Sequence, residues 1–418
     1  MNAILKHIGN QFLSRLTFLC VILSITVTQG QTIKENDRIA IVGNAFADLM
    51  HLNGYFETLL RHRCASQKIR FRNFGWAGDT VIERTRPTNF DSEDKWLNSF
   101  KADLVIVCVG MPESFGGDGG LLEFRQALSR LLKHYQSQKY NSELPPRLIL
   151  VSPTAHEDVG LKGINVKQRN KDLKKYTDGM EAIADALNIP FIDLFTVSHS
   201  LMVDKDGSQL TTNGMHLNAY GYWAVSQLLT DQIVPRSKPL RIQFDFNGGL
   251  GQSQGGAIND IRQDENGLNL NIEVTGWPIL AAPDGSRIHD SLKNHQDQVL
   301  IHSLPDGEHT LSFSNGQSIT ATAKQWSQGV CLNSTDRHLE LERYRLLVNE
   351  KNLKYFHCWR ALNQVHIVGE RKKSPSGRSL PEELSEWSRL ATEDDKRLST
   401  ILQPSKNIIW NLAPKEKK

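Results

Sequence analysis

The stretch "RIAIVGNAFADLM", Arg38 to Met50, decides how the rest of the chain is read. An apolar run stops at Gly43, and a helix-like pattern begins at once. A continuous apolar run, rather than an alternating one, suits a strand buried on both faces. A strand that ends on glycine and turns straight into a helix is a corner where many enzymes hold a nucleophile. Here the corner reads Gly43-Asn44-Ala45, and the methyl group of alanine can attack nothing.

Four more runs of the same kind follow: "IRFRN" (69–73), "DLVIVCV" (103–109), "RLILVS" (147–152) and "PFIDL" (190–194). Helix-like segments fill the gaps, from Ala45 to about Cys64, at 121–135, at about Asn170–Leu187 and at about Asn218–Ile233. In 121–135, Leu121, Phe124, Leu128, Leu131, Leu132 and Tyr135 share one face. Strands alternating with helices predict an α/β fold: a three-layer α/β/α sandwich on a parallel five-stranded sheet, over residues 37–235. The composition shifts at Pro235. Short β-like runs with turn signals predict a small β-rich module over 239–328, and "DRHLELERYRLLVNEKNLKYFHCWRAL" (336–362) predicts a helical extension within 329–370. Residues 371–418, rich in Lys, Ser, Pro and Glu, read as a partly ordered linker and tail. "GGLGQSQGG" (248–256) is read as a loop and not as a phosphate cradle, because no helix follows it.

The 418 residues carry 49 basic and 46 acidic side chains, a net charge of +3, which leaves no electrostatic footprint for nucleic acid. At the N-terminus Lys6 and Arg15 precede an apolar run from Leu16 to Val27, and Gly30 offers a small residue for cleavage. That pattern predicts a signal peptide over 1–30 and an exported protein, periplasmic or extracellular. The run is shorter than the ~20 residues a spanning helix needs, so no membrane span is expected after processing. Cys64, Cys108, Cys331 and Cys358 show neither a disulfide framework nor a C-x-x-C metal pattern, and Cys108 lies inside an apolar strand, as a buried free thiol would.

The C-terminal ends of parallel strands meet along one sheet edge, where ligands bind. Four corners converge there: Gly43-Asn44-Ala45, "NFGWAGDT" (73–80), "VGMPESFGG" (109–117) and "LTTNGMHLNAYGYWAV" (210–225). In this order they resemble the blocks of the SGNH (GDSL-type) hydrolase family over roughly residues 37–233. With "SPTAHED" and "NGMHLN", the wider pattern resembles a divergent exported branch from planctomycete-type bacteria. The resemblance implies a flavodoxin-like sandwich and ester hydrolysis. It also implies roles. Gly43 matches the first-block glycine, Asn44 stands in place of the family Asp, and Ala45 in place of the nucleophilic Ser. Gly78 matches the oxyanion glycine and Gly110 the third-block glycine, while Pro112 falls where an Asn donor belongs. In the last block Asn213 replaces the orienting Asp, and His216 is retained.

Acyl transfer needs a nucleophile activated by an adjacent base, and losing it removes ~10⁶ in kcat. Proline offers neither an amide nor a backbone donor, so a further ~10²–10³ goes with Pro112. Other groups could form a new acid–base set: Ser114, Asp79, Glu113, His156, Glu157 and Asp158. His216 with Glu113 could activate a water directly. His156, Glu157 and Asp158 are consecutive and so poorly placed to converge on one ion; no metal and no cofactor are expected. Trp76, Phe115, Tyr220, Tyr222 and Trp223 lie near the cleft blocks, as core residues or as sugar-stacking platforms. Two readings stand. One is an SGNH-type ester hydrolase of impaired machinery, acting on acylated carbohydrate. The other is a non-catalytic, glycan- or partner-binding protein of a cell-envelope assembly. The expected ligand is a small ester or glycan.

Overall fold

The computed structural model describes residues 33–415 except 87–89, 237, 249–251, 265–266, 294, 361–369 and 402–405. The signal-peptide expectation for 1–30 lies outside the described residues. Among them no helix is long and apolar enough to cross a membrane, and Cys64, Cys108, Cys331 and Cys358 are unpaired thiols.

In chain order the first part holds β1 (Arg38–Gly43), α1 (Ala45–Asn53), α2 (Tyr55–Arg63), β2 (Arg70–Asn73), α3 (Glu93–Phe100), β3 (Leu104–Cys108), α4 (Gly117–Ser137), β4 (Arg147–Val151), α5 (Val166–Ala186), β5 (Phe191–Ile192), α6 (Leu194–Val203) and α7 (Ala219–Ile233). The five strands form one parallel sheet in the order β2-β1-β3-β4-β5. Ile39 and Ile41 of β1 point into one core layer with Leu59, Leu60, Trp223 and Leu229. Ala40 and Val42 point into the other, with Phe124, Leu128, Tyr176 and Met180. Both faces are covered, which is why the strands read as unbroken apolar runs.

The expected helix from Ala45 to Cys64 is two helices. The chain breaks at Gly54, whose φ of 65° closes α1 in the left-handed conformation that glycine adopts at least cost.

β6 (Arg241–Asp245), β7 (Gly256–Asp264), β8 (Gly267–Val274), β9 (Asp297–His302), β10 (Glu308–Phe313), β11 (Ser318–Thr322) and β12 (Val330–Leu332) build the β-rich module. After "GGLGQSQGG" the chain runs straight into β7, with no helix. Then come α8 (Asp336–Trp359), α9 (Pro375–Thr400) and β13 (Asn407–Pro414). The segment read as a linker and tail is therefore built into the fold. β13 lies between β10 and β8 in a five-stranded antiparallel sheet, order β11-β10-β13-β8-β7, beside a three-stranded sheet β12-β9-β6. Ile408, Trp410 and Leu412 enter the core that both sheets enclose, with Phe244, Ile301 and Trp326.

α8 and α9 cover the edge strand β2. A bare edge exposes unpaired backbone groups; here Lys351 Nζ of α8 donates to the Phe71 carbonyl at 3.1 Å. Arg61 of α2 donates to the Ile69 carbonyl at 3.0 Å. These cations share two buried carboxylates. Lys351 reaches Glu57 at 2.5 Å and Arg72 reaches Asp395 of α9 at 2.5 Å, while Arg61 pairs with both. Its neighbours' positive charges hold the Asp395 carboxyl below the usual range against the opposing pull of burial.

Candidate functional site

The first corner is set by crowding. Gly43 has φ +138°, and a Cβ there would fall inside the Cys108 carbonyl oxygen of β3. Asn44 then caps α1: its Oδ1 accepts from the Phe46 N–H at 3.1 Å, and its own N–H donates to Cys108 O at 3.3 Å. Either Asn or Asp can cap a helix in this way. Ala45 opens α1 at the end of β1.

The second corner is gripped from several sides. Asn73 donates to the Ala47 carbonyl at 2.6 Å and accepts from Gly75 N–H at 2.8 Å. Trp76 N–H donates to Gly43 O at 2.8 Å. Asp48 Oδ2 accepts from Ala77 N–H at 3.0 Å and from Arg360 Nη1, just past α8, at 2.7 Å. Arg86 clasps Asp79 with two bonds of 2.7 and 2.6 Å. The guanidinium carbons of Arg86 and Arg360 each lie 4.1 Å from the Trp76 ring centroid. The turn so held carries Gly78, at φ +92° with open space beside its Cα. Its N–H makes no hydrogen bond among the described residues.

At the third corner Gly110 sits at φ +104°, with Pro153 and Met180 pressed against it. Glu113 does not serve as partner to His216. Its Oε1 accepts from Val81 N–H at 2.8 Å and its Oε2 from Gly110 N–H at 3.0 Å, so the carboxylate ties the second corner to the third. Burial raises its pKa, although the two N–H groups favour the charged form. Ser114 is fully buried. Its hydroxyl donates to Met111 O at 2.7 Å and accepts from Arg169 at 2.8 Å. Arg169 in turn covers the Phe115 ring at 3.7 Å.

At the last corner Asn213 and His216 form a pair. Asn213 Oδ1 accepts from the backbone N–H groups of Met215 at 3.2 Å and His216 at 2.9 Å. The other end of the amide lies 3.0 Å from His216 Nδ1. His156, expected in the cleft, is instead tucked beneath this loop. Only 4% of it is exposed, and a Cβ on Gly214 would strike its Nε2. Burial, and then Arg169, lower its pKa. Glu157 is structural as well. It accepts from Leu210 N–H at 3.0 Å, Thr211 N–H at 2.7 Å and the Thr211 hydroxyl at 2.5 Å.

All four corners, with residues following β4, line a cavity of about 260 Å³. Asn44, Ala45, Gly78, Pro112 and His216 all line it, so the methyl group and the imidazole share one space. Gly43, Gly110, Asn213, Glu113 and His156 support that lining from outside it. Most of the wall is apolar: Phe46, Met111, Phe115, Met215, Leu217 and Tyr222. Tyr220 and Trp223 are core instead, bonded to His289 and to the Leu280 carbonyl. Cys108, Ser152 and Thr154 also line the cavity and were not expected there from sequence, although they end or follow strands β3 and β4, where ligand sites gather. Burial pushes the Cys108 thiol up, away from thiolate chemistry. Ser152 Oγ is occupied, accepting from Leu194 N–H at 2.8 Å and Phe195 N–H at 3.0 Å.

A parallel 2-1-3-4-5 sheet, with a pocket at its strand ends built from a glycine-ended first strand, a glycine turn and an Asn-x-x-His loop, defines a hydrolase scaffold of the SGNH type. Residues 24–224 match the model of the GDSL-like Lipase/Acylhydrolase family. Among solved structures, a gut microbial diltiazem-metabolizing enzyme is similar over 92% of this chain and 100% of its own, at 16% identity and a TM-score of 0.63. That likeness is one of fold, and it extends beyond the α/β part. A catalytic mutant of Axe2, an acetylxylan esterase from Geobacillus stearothermophilus, is 18% identical over 48% of this chain and 96% of its own, at a TM-score of 0.38. LAE5, an alpha/beta hydrolase enzyme from the metagenome of Lake Arreo, Spain, is 16% identical over 49% and 98%, at 0.38. No curated protein matches the chain.

Proposed function

We propose that this GDSL-like protein binds an acyl compound in the family's pocket without hydrolysing it. The observation that carries the reading is Ala45. It lines the same cavity as His216, at the corner where the resemblance puts a nucleophile. The neighbouring candidates support it. Ser114 and Ser152 spend their hydroxyls on the protein, the Cys108 thiol is held protonated by burial, and Glu113 accepts two backbone bonds. The apolar wall suits an acyl group. Phe115 lines the cavity yet is 59% exposed, a surface on which the sugar of an acylated carbohydrate can stack. The charged and apolar pattern of residues 1–30 supports export.

The test is an assay of purified protein on short-chain aryl esters and acetylated xylo-oligosaccharides, with binding measured in parallel. Binding without turnover is expected. Wild-type hydrolysis that His216→Ala abolishes would overturn the reading.

A further inference from the structure

We infer that His216 acts in this pocket as a hydrogen-bond donor and not as a base, and that with the Gly78 N–H it holds the carbonyl oxygen of an uncharged ester or amide. The inference rests on the non-hydrolytic reading above and specifies how the ligand is held.

The argument begins at Asn213. Backbone N–H groups only donate, so the amide atom that takes both Met215 N–H and His216 N–H must be the oxygen. The other amide atom, 3.0 Å from His216 Nδ1, is then the nitrogen, which can only donate. Nδ1 therefore accepts with its lone pair, and the neutral ring carries its proton on Nε2. An aspartate at 213 would do the reverse. It would accept from Nδ1–H and leave Nε2 bare, as a base needs. Exchanging one side-chain oxygen for NH₂ thus turns the free end of the imidazole from proton acceptor to proton donor. Nε2 makes no hydrogen bond among the described residues, and the ring lines the cavity.

Gly78 lines the same space, and its N–H, unbonded among the described residues, is the second donor the proposal uses. The cavity lining holds no Asp, Glu, Lys or Arg. A carboxylate would leave water for a wall with no cation, and an ammonium for one with no anion; both are costly. A neutral carbonyl needs only the donors, and its alkyl part meets Phe46, Met111 and Leu217.

The probes are N-methylbutyramide, methyl butyrate, butyrate and butylamine. Imidazole nitrogen NMR of the wild-type protein, at a pH where the ring is neutral, is expected to show the proton of His216 on Nε2. N-methylbutyramide and methyl butyrate are expected to shift that nitrogen and to bind at least about tenfold more tightly than butyrate or butylamine. Asn213→Asp is expected to move the proton to Nδ1 and to weaken amide binding about tenfold. A proton on Nδ1 in the wild type overturns the proposal without needing any variant. So does butyrate binding as tightly as the amide, or an Asn213→Asp affinity equal to that of the wild type. Release of butyrate from methyl butyrate in the same samples would instead count against the non-hydrolytic reading, and is scored separately.

Discussion

Arg360 and Asp48 are joined by a 2.7 Å charge-assisted bond across 312 positions of sequence. Asp48 belongs to α1, the helix that Ala45 opens, and the same oxygen accepts from Ala77 N–H, next to Gly78. The residue just past α8 thus braces the turn that carries Gly78 to the cavity wall. Arg360→Ala leaves a mostly buried carboxylate short of its cation and uncovers Trp76, so a loss of about 2–4 kcal/mol is expected in urea unfolding. Arg360→Lys keeps the charge but loses the planar contact with the ring, and should fall between. An Arg360→Ala protein with an unchanged urea midpoint would show that the brace bears no load.

Gly43→Ala is expected to be among the most damaging single changes. The new methyl has to enter the Cys108 carbonyl at a positive φ, so about 3 kcal/mol or more should go, with yield falling accordingly. Gly78→Ala carries the same kind of backbone strain but meets open space, and should cost about 1–2 kcal/mol. Thermal unfolding of the two variants side by side checks the order.

Rebuilding the missing chemistry should be stepwise. Ala45→Ser alone adds a hydroxyl to the cavity that His216 lines, where the inferred tautomer puts the imidazole proton on the wrong nitrogen, and little aryl-ester hydrolysis is expected. Adding Asn213→Asp restores the base, and turnover should appear. Pro112→Asn as a third change supplies a donor at the position where the family places one, and should raise kcat by up to about 10²-fold. Equal rates for the single and double variants would remove Asn213 from the account.

His295 sets an acid limit on stability. It is 6% exposed and faces the Arg236 guanidinium at 2.7 Å, with Asp231 and Arg63 nearby. Burial first, and then Arg236, lower its pKa to about 4. The folded protein therefore binds its proton less readily than the unfolded chain, whose histidine titrates near 6.5. The contribution is fully present above pH 6.5 and is lost as the pH falls from there to about 4, by roughly 1.4 kcal/mol per unit at most. Urea midpoints over that window should fall less steeply in His295→Gln, which keeps an acceptor for Arg236 but does not titrate.

Ending the chain at Thr400 removes β13 and strips partners from β8 and β10 together. The β-rich module should then become protease-sensitive and aggregate, since β8 and β10 are each left with a bare edge at a gap in the middle of the sheet. Intact resistance of residues 239–332 to limited proteolysis would contradict this.

The five-stranded sheet was legible because each strand is buried on both faces and so reads as an apolar block. The four corners were legible through residue types that turns and caps demand, such as Gly43 and Asn44. Direction was not legible. Glu113 and His156 have the right chemistry for a cleft, yet one points at backbone N–H groups and the other under Gly214; composition is silent on which way a side chain turns. β13 was hidden because its alternation, with Ile408, Trp410 and Leu412 inward and Ile409 62% exposed, is short and follows a long charged stretch. α9 was masked by Pro381 and its many charges. Arg360 could not be found at all, since nothing local marks a residue that acts 312 positions away.

The place of β13 also sets a clock. Asn411 bonds Asn269 across 142 positions, so β8 leaves the ribosome long before the strand that will lie beside it. Until residues 407–414 emerge, the module has no way to close, and β8 and β10, each paired on one side only, wait with their other edges bare while α8 and α9 are made. Holdase chaperones would find their substrate in that interval, and a chain kept open so long is also in the form that a secretion channel can thread.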